Sequence, residues 1–363
     1  MTGANSKTDA QSDIVFGVDL SRGFTEWLAA KNVSLAVSTY QVGKIIMLGV
    51  DQDAQGQRDL WVYNRNIGRC MGMVASGRGF WVTSDTQLLR FENLLRGDQL
   101  GQNGTDAVYA PRFSYFTGDL DAHDVAVGLD GGPVFANTLF NCVAKPSLAH
   151  SFEPVWRPNF ISRLAAEDRC HLNGIAMRDG ALRYVTAVSC TDVFDGWRDH
   201  REGGGIVIDV LSGETICDGL SMPHSPRWHN GRLWLHNSGA GEFGYVDVEN
   251  KCFVPVSFCP GYLRGLAFID EKTAVVGLSL PRDNKTFSGL PLDARMRDAG
   301  VSARCGLYFI DLDSGDIIHS AVFKGVVNEL YDVVVLNGIR KPTLIGPNSP
   351  ELKRTVSVSS DVQ

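Results

Sequence analysis

Three of the eight histidines, His123, His171 and His224, recur about fifty residues apart, each at the start of a short apolar run. Neutral imidazole is the commonest metal ligand in proteins, and an imidazole set with one carboxylate suits Fe, Zn, Mn or Cu. Glu329, which precedes a later apolar run, supplies that carboxylate. The pattern therefore predicts one divalent transition metal bound by these four side chains. Open coordination positions would make the centre catalytic.

Two other interpretations of these residues stay open. They could form a polar site without metal, or they could only bond backbone groups of the connections that precede strands. Arg69 and Arg264 are candidates to hold an anionic substrate group, although either could instead form a salt bridge. Glu329 is also a candidate base, and Tyr331 could orient a ligand or pack at the rim. Further substrate-binding candidates are Asn173, Asp124, Trp197, Arg227 and Tyr262.

A repeated hairpin supplies the elements that must position these side chains. Each copy is a short apolar run, a turn and a second apolar run. The copies begin at Met71, His123, Asn173, Ser225, Arg264 and Tyr331. A period of about fifty residues with further alternating strands is typical of one β-propeller blade. The sequence therefore predicts an all-β fold, a six-bladed propeller.

The ring is expected to close through both ends of the chain. The strand pattern that starts at Gly43 lacks an inner strand before it, and the hairpin predicted at Tyr331 lacks outer strands after it. Sharing one blade between N- and C-terminal strands completes the ring and removes exposed edges. We expect a single domain over residues 14–350, a short outer helix over 21–31, a long loop over 282–304, and disordered polar tails at 1–13 and 351–363.

The predicted meander brings the candidate residues to one face. If the inner strand of each blade starts at this face, the long loops 189–205 and 280–306 emerge there as well, and long loops commonly carry function. Aligning the copies puts two sets on the same side of the inner strands, two residues apart. The inner set is His123, Asn173, His224, Arg264 and Tyr331, and the outer set is Arg69, Asp121, His171 and Glu329.

Composition restricts the partners. The net charge is −7 with no basic stripe, which argues against nucleic acid. No apolar run has the roughly 18 residues that a membrane helix needs, and the N-terminus lacks a secretion-signal pattern. A cytoplasmic protein that does not bind membranes is expected. The eight cysteines form no CxxC pair, and we interpret most of them as small buried hydrophobes.

Several phrases resemble known propeller families. SLAVSTYQVGKIIMLG (34–49), RWHNGRLWLHNSGAGEFGYVD (227–247) and CPGYLRGLAF (259–268) are similar to a bacterial family of uncharacterised propeller proteins labelled as a domain of unknown function. That resemblance implies the fold and no activity. The phrase NSGAGEFGYVD also resembles strands of NHL and SMP-30/gluconolactonase propellers. Those lactonases bind a divalent ion through Glu, Asn and Asp, whereas histidines occupy the corresponding level here.

The leading functional hypothesis is a metal-dependent enzyme that acts on a small polar or anionic substrate at the channel mouth. Hydrolytic, lyase and oxidative chemistry all remain compatible with the residues. The alternative is a non-catalytic recognition module that binds a peptide or glycan through the same face. The sequence does not decide the oligomeric state.

Overall fold

Six small sheets surround a central channel in the computed structural model, which describes residues 16–281 and 289–359. Each sheet has four or five strands, and its innermost strand contacts the innermost strands of the two neighbouring sheets. These contacts close into a ring, so the predicted six-bladed β-propeller is confirmed.

The strands of the described residues alternate with short turns along the chain. The first half comprises β1 (Phe16–Leu20), β2 (Val33–Ser38), β3 (Lys44–Gln52), β4 (Arg58–Asn66), β5 (Met73–Ser76), β6 (Gly79–Thr83), β7 (Gln87–Asn93), β8 (Ala107–Phe116), β9 (Ala122–Val127), β10 (Pro133–Asn137), β11 (Cys142–Lys145), β12 (Glu153–Trp156) and β13 (Leu172–Arg178). The second half comprises β14 (Ala181–Ala187), β15 (Gly205–Asp209), β16 (Thr215–Leu220), β17 (Pro223–His229), β18 (Arg232–Asn237), β19 (Glu242–Asp247), β20 (Cys252–Phe258), β21 (Tyr262–Phe268), β22 (Thr273–Ser279), β23 (Gly306–Asp311), β24 (Ile317–Gly325), β25 (Val333–Asn337) and β26 (Pro342–Leu344).

Every blade is an antiparallel meander that runs outward from the channel. From inner to outer strand the blades are β25-β2-β3-β4, β5-β6-β7-β8, β9-β10-β11-β12, β13-β14-β15-β16, β17-β18-β19-β20 and β21-β22-β23-β24. The inner hairpins turn on residue pairs that tolerate the left-handed conformation. In Asp179-Gly180 and Asn230-Gly231 both residues have positive φ, as the tightest hairpin turns require.

The first blade confirms the predicted closure. Its inner strand β25 comes from the C-terminal part of the chain and pairs with β2, in a register that places Val33 opposite Asn337. Two further terminal strands extend other blades. Strand β1 pairs with β24, and β26 pairs in parallel with β8.

The hairpin predicted from Tyr331 is therefore wrong in its second strand. The place beside β25 that a hairpin partner would take is already filled by β2. Residues 342–344 consequently cross to the outer edge of the next blade, where Pro342 aligns with Ala107. A proline is tolerated there because an edge strand does not need every N–H for pairing.

Two α-helices lie among the described residues. Helix α1 (Phe24–Lys31) buries Phe24 and Leu28 against the outer strands, which confirms the predicted outer helix. Helix α2 (Pro291–Ala299) lies in the segment predicted to be a loop, and corrects that prediction. Pro291 opens it, Leu292 is buried beneath it, and Gly300 ends it with a φ of 64°.

Short 3-10 helices occupy connections at Gln102–Gly104, Gly196–His200, Ser238–Ala240 and Pro350–Arg354. The last of these spans the predicted start of the C-terminal tail. The predicted N-terminal tail, residues 282–288 of the predicted loop and residues 360–363 of the predicted C-terminal tail lie outside the described residues. In the part of the chain that is described, no helix combines the length and apolar character needed to cross a membrane.

Neighbouring inner strands approach so closely that some positions exclude a side chain. A Cβ atom added to Gly72 would lie 2.6 Å from Cα of Asp124, which belongs to the next blade. Real Cβ atoms do not approach backbone atoms this closely, so one of the two inner strands would have to move.

We expect Gly72→Ala to destabilise the fold by roughly 1–3 kcal/mol, the usual range for overpacking a close contact. Urea unfolding with an unchanged m-value would measure the loss. Gly17→Ala in β1 is the matched control, because a Cβ at that position meets nothing within 4 Å. Equal midpoints for the two variants would contradict the close approach.

Candidate active site

The inner strands of three consecutive blades begin in the same strained way. Asp121, His171 and Met222 directly precede β9, β13 and β17, and their φ angles are 50°, 52° and 50°. Non-glycine residues seldom adopt this left-handed conformation, and such strain often marks functional sites. The chain therefore enters these three inner strands through the same left-handed backbone conformation.

A one-residue bulge follows each entry and is also present in the next blade. Pairing registers shift between Ala122 and Val125, Leu172 and Gly174, His224 and Arg227, and Leu263 and Leu266. Bulges re-aim side chains and are frequent beside active sites.

Most of the predicted residues converge on this face. A cavity of about 130 Å³ at the channel mouth is lined by Tyr40, Asp121, His123, Asp168, His171, Trp197, Arg198, Met222, Arg264 and Tyr331. A void of about 10 Å³ lies deeper and is lined by His123, Asp124, Asn173, His224, Ser225, Arg264, Tyr331 and Asp332. Asp121 and His171 of the predicted outer set line only the mouth cavity, and Asn173 and His224 of the inner set line only the deeper void. His123, Arg264 and Tyr331 of the inner set line both.

His171 is held from two sides. Its Nδ1 lies 2.9 Å from the Asp168 carboxylate, and its ring stacks on Trp197 with the centroids 4.1 Å apart. The indole Nε1–H of Trp197 donates to the same carboxylate at 2.8 Å. Asp168 thus accepts from both rings, and Nε2 of His171 is the ring nitrogen left for a ligand.

His123 meets His171 edge to face, with the ring centroids 4.7 Å apart. Its Nδ1 lies 2.8 Å from the Asp121 carbonyl oxygen and 2.9 Å from the Thr138 hydroxyl, which itself donates to the Leu172 carbonyl. Nδ1 therefore carries the proton and Nε2 is the acceptor. Burial lowers the pKa of His123 to about 4, with the charges on His171 and Arg264 adding to the effect against the attraction of Asp121. The ring is neutral at pH 7.

His224 lies deeper and is almost fully buried. Its Nδ1–H donates to the Met222 carbonyl at 2.8 Å, and its Nε2 is 3.3 Å from the Asn173 amide nitrogen. Burial, and secondly the charge on Arg264, hold its pKa well below the usual value. Its lone pair is thus occupied by Asn173.

The predicted metal centre is not assembled in this structure. Over residues 16–281 and 289–359, no three His, Cys, Asp or Glu side chains are arranged to hold a metal ion together. The three imidazoles do share one feature of metal ligands, since each has its Nδ1 engaged by an oxygen. The metal centre stays a prediction.

Arg264 connects both levels of the site. Its guanidinium carbon lies 4.9 Å from the Tyr331 ring centroid, and Nη1 lies 3.7 Å from the carboxylate of Glu329. Glu329 is 3% exposed and lies behind Arg264, outside the residues that line either cavity. The salt-bridge interpretation of Arg264 therefore fits, and Arg264 still faces the cavity.

The floor of the site is a charged triad, which we define as Asp124, Arg227 and Asp332. Arg227 donates to both oxygens of Asp124 at 2.8 and 3.0 Å and to Asp332 at 3.3 Å. Asp124 also accepts from the Ile175 amide, and Asp332 accepts from the Met73 amide. Asp124 and Arg227, which the sequence marks as substrate-binding candidates, are thus engaged in the floor.

Arg69 and Tyr262 are also absent from the lining of the mouth cavity. Arg69 forms salt bridges with Asp85 at 3.2 Å and with Asp119 at 2.5 Å. Tyr262 is buried in an apolar cluster that also contains Trp197 and Leu292. This cluster joins the long loop 189–205 to helix α2, so the described part of the second predicted loop packs against the first on the mouth side.

Sequence reasoning missed Asp168 as a site residue. It lies three residues before His171 in the connection between blades and has a φ of 39°. An acidic residue three positions before a candidate histidine was the sequence signal that could have identified it. Tyr40 was also missed, because it belongs to the first blade and reaches the mouth from a turn rather than an inner strand.

The fold and this site define a six-bladed β-propeller with a histidine-lined pocket at one channel mouth. The chain belongs to the family described as Domain of unknown function (DUF4915), whose model matches residues 22–345. No curated protein matches the sequence.

Solved structures similar to this chain are propeller proteins. A chain of a nidogen/laminin complex has a TM-score of 0.52 at 10% identity, over 85% of this chain and 99% of that chain. Virginiamycin B lyase from Staphylococcus aureus has a TM-score of 0.39 at 12% identity, over 73% and 96%. Dihydro-heme d1 dehydrogenase NirN has a TM-score of 0.40 at 12% identity, over 85% and 74%. Some of these neighbours are enzymes, and the likeness shows the fold alone.

The triad makes stability depend on pH through Asp332. Burial raises the pKa of Asp332 to about 7, with Asp124 adding to the rise against the attraction of Arg227. The unfolded value is about 3.9, so the folded chain holds this proton more tightly. Its contribution to stability is full below about pH 4 and is lost as the pH rises through about 7.

We therefore expect the free energy of unfolding of the wild type, relative to that of Asp332→Asn, to fall as the pH is raised from 5 to 8. Urea unfolding at each pH measures it. Asp298→Asn on helix α2 replaces an exposed carboxylate and serves as the control. A difference that stays constant over this range would rule out titration of Asp332.

Proposed function

We propose that the mouth cavity is the active site of an enzyme that acts on a small polar or anionic substrate by proton transfer. His171 is the acid–base residue, Asp168 orients it, and Arg264 binds the anionic or polar end of the substrate. One observation carries the proposal. The His171 ring is fixed by Asp168 and Trp197 while it lines a cavity of about 130 Å³.

The contacts of His171 support a base that can also act as an acid. With Nδ1–H donating to Asp168, the lone pair of a neutral ring is on Nε2, which can take a substrate proton. The carboxylate then stabilises the imidazolium, and the same Nε2 returns the proton to a leaving group or product. Stacking on Trp197 keeps the ring from rotating during both steps.

The two neighbouring imidazoles have different environments, which favours a division of roles. Nδ1 of His123 is hydrogen-bonded to a carbonyl and a hydroxyl oxygen, with the Asp121 carboxylate farther away at 3.6 Å, and the ring is neutral at pH 7. Nδ1 of His171 is instead bonded directly to the Asp168 carboxylate at 2.9 Å. Pairs of titratable groups with such separated environments commonly mark acid–base sites. Hydrolysis and elimination both depend on one proton removal and one proton return, so either reaction suits the pair.

A metal-dependent form of this proposal would use His123, His171 and His224 as ligands with Glu329. The contacts fit it less well, because Nε2 of His224 lies beside Asn173 and Glu329 lies behind Arg264. We therefore assign no step to a metal. Elemental analysis of protein purified without an affinity tag is expected to give well below one equivalent of Fe, Zn, Mn or Cu. One equivalent that disappears in His224→Ala would favour the metal centre instead.

Binding and turnover should separate in variants of the two key residues. Isothermal titration with malonate and with inorganic phosphate at pH 7 should show binding that weakens roughly tenfold in Arg264→Gln/Glu329→Gln. The double change avoids leaving a buried carboxylate without its partner. Arg69→Gln, on the same face but outside the cavity, is the matched control and should bind normally.

His171→Asn should keep the anion affinity within a factor of about three but lower kcat by roughly 10²–10⁴ on any substrate found by screening small esters and hydroxy acids. An Arg264→Gln/Glu329→Gln protein that binds both anions as the wild type does would contradict the role of Arg264. Unchanged kcat in His171→Asn would contradict the role of His171.

The rim of the cavity favours a second candidate function, recognition of a peptide or glycan. Val193 and Phe194 are adjacent in the long loop beside the cavity, and they are 66% and 69% exposed. Exposed apolar pairs next to a polar cavity are common at binding surfaces. Capture of peptide or glycan ligands on an array, lost in Val193→Ser/Phe194→Ser but kept in His171→Asn, would support recognition rather than catalysis.

A further inference from the structure

A second cavity occupies the opposite end of the channel, beyond the charged triad. Its volume is about 420 Å³, within the range of about 300–1,000 Å³ that small-molecule sites occupy. Residues of all six inner strands line it, and those of β9, β13, β17 and β21 belong to the later half of the strand, towards the inner hairpin turns. We call this cavity the far chamber.

The walls of the far chamber are apolar. A partly exposed apolar side chain from each of five inner strands contributes to them, namely Val74, Val127, Met177, Trp228 and Phe268. Apart from Arg227 at the floor and Asn337, every lining residue is apolar. An open apolar cavity of this size gains free energy when a ligand replaces water in it.

The floor limits the ligand's charge. The side chain of Arg227 is 22% exposed, while those of Asp124 and Asp332 are only 5% and 4% exposed. The guanidinium is therefore the polar group that the triad presents to the far chamber. Its positive charge is already balanced by the Asp124 carboxylate, and Asp332, whose pKa burial raises to about 7, lies beside them. A ligand anion would meet repulsion from the Asp124 carboxylate, and a ligand cation would meet the guanidinium itself.

The guanidinium still has a donor to offer. Nη1 and Nη2 bond to Asp124, Asp332 and two backbone carbonyls, whereas the Nε–H makes no hydrogen bond with any of the described residues. An uncharged acceptor such as a carbonyl oxygen can use that donor without adding charge. Trp228 and Phe268 at the wall favour a flat apolar body.

We propose that the far chamber is a second binding site, distinct from the histidine pocket, for a small uncharged aromatic or apolar molecule that carries one hydrogen-bond acceptor. The acceptor meets Arg227 and the apolar body fills the space between the inner strands. The proposal does not depend on the function of the mouth cavity, because the triad separates the two.

Three matched probes test it. Acetophenone, benzoate and benzylamine have similar aromatic bodies and carry no charge, a negative charge and a positive charge. Saturation-transfer NMR titration of the full chain should show saturable binding of acetophenone. Benzoate and benzylamine should bind roughly tenfold more weakly or not at all. No saturable acetophenone binding, or stronger binding of either ion, would overturn the proposal.

Variants locate the site. Ala267→Trp fills the chamber from its wall and should abolish acetophenone binding, while His171→Asn at the opposite mouth should leave it unchanged. Ala75→Trp is a second filling variant at an exposed position, which serves if Ala267→Trp does not fold. Binding that survives in a folded filling variant, or that is lost in His171→Asn, would place the ligand elsewhere and overturn the assignment.

Discussion

The charged triad at the centre of the channel is the constraint on which the rest of the structure depends. Arg227 comes from the fifth blade by chain order, Asp124 from the third, and Asp332 from the connection into β25. Their carboxylates also accept amide hydrogens from the inner strands β5 and β13. Buried charges are unfavourable unless they are paired and fully hydrogen-bonded, so these contacts hold the inner strands at one separation. Removing one partner would leave an uncompensated charge on the channel axis.

The residues that precede the inner strands determine which side chains reach the site. Because the inner strands cannot shift along the axis, the left-handed residues and the bulges set which side chains reach the mouth. This left-handed entry places His171 in the mouth cavity and His224 in the deeper void. Hydroxyl groups tie neighbouring blades at this height, as Thr138 does for Leu172 and Ser238 for Leu263. The base of the site is therefore tied together by hydrogen bonds between blades, and the long loop that carries Trp197 forms part of its rim.

Local sequence patterns were sufficient to predict the blades but not the contacts between side chains of different blades. Turn residues such as Asn230-Gly231 and the apolar alternation around them predicted the hairpins, and two incomplete ends predicted the shared blade. The pattern at 342–344 also suits a strand, but its partner depends on β2 having taken the nearer place. In the site, the alignment placed His171 and His224 at different levels, whereas His123, aligned with His224, lines both cavities. The alignment could not show that Arg227 pairs with Asp124, because that contact crosses the channel between blades.

The position of each cavity along the channel determines through which opening a ligand can enter it. Between the mouth cavity and the far chamber, the described side chains leave a polar void of only about 10 Å³, close to the space of one water molecule. No organic molecule can pass through it unless the triad opens, which would expose paired charges to an apolar wall. A ligand of the proposed active site would therefore enter and leave by the same opening, beside Trp197. The two ends of the channel thus present different surroundings, a polar cavity at the mouth and an apolar far chamber, although several of the same inner strands contribute to both.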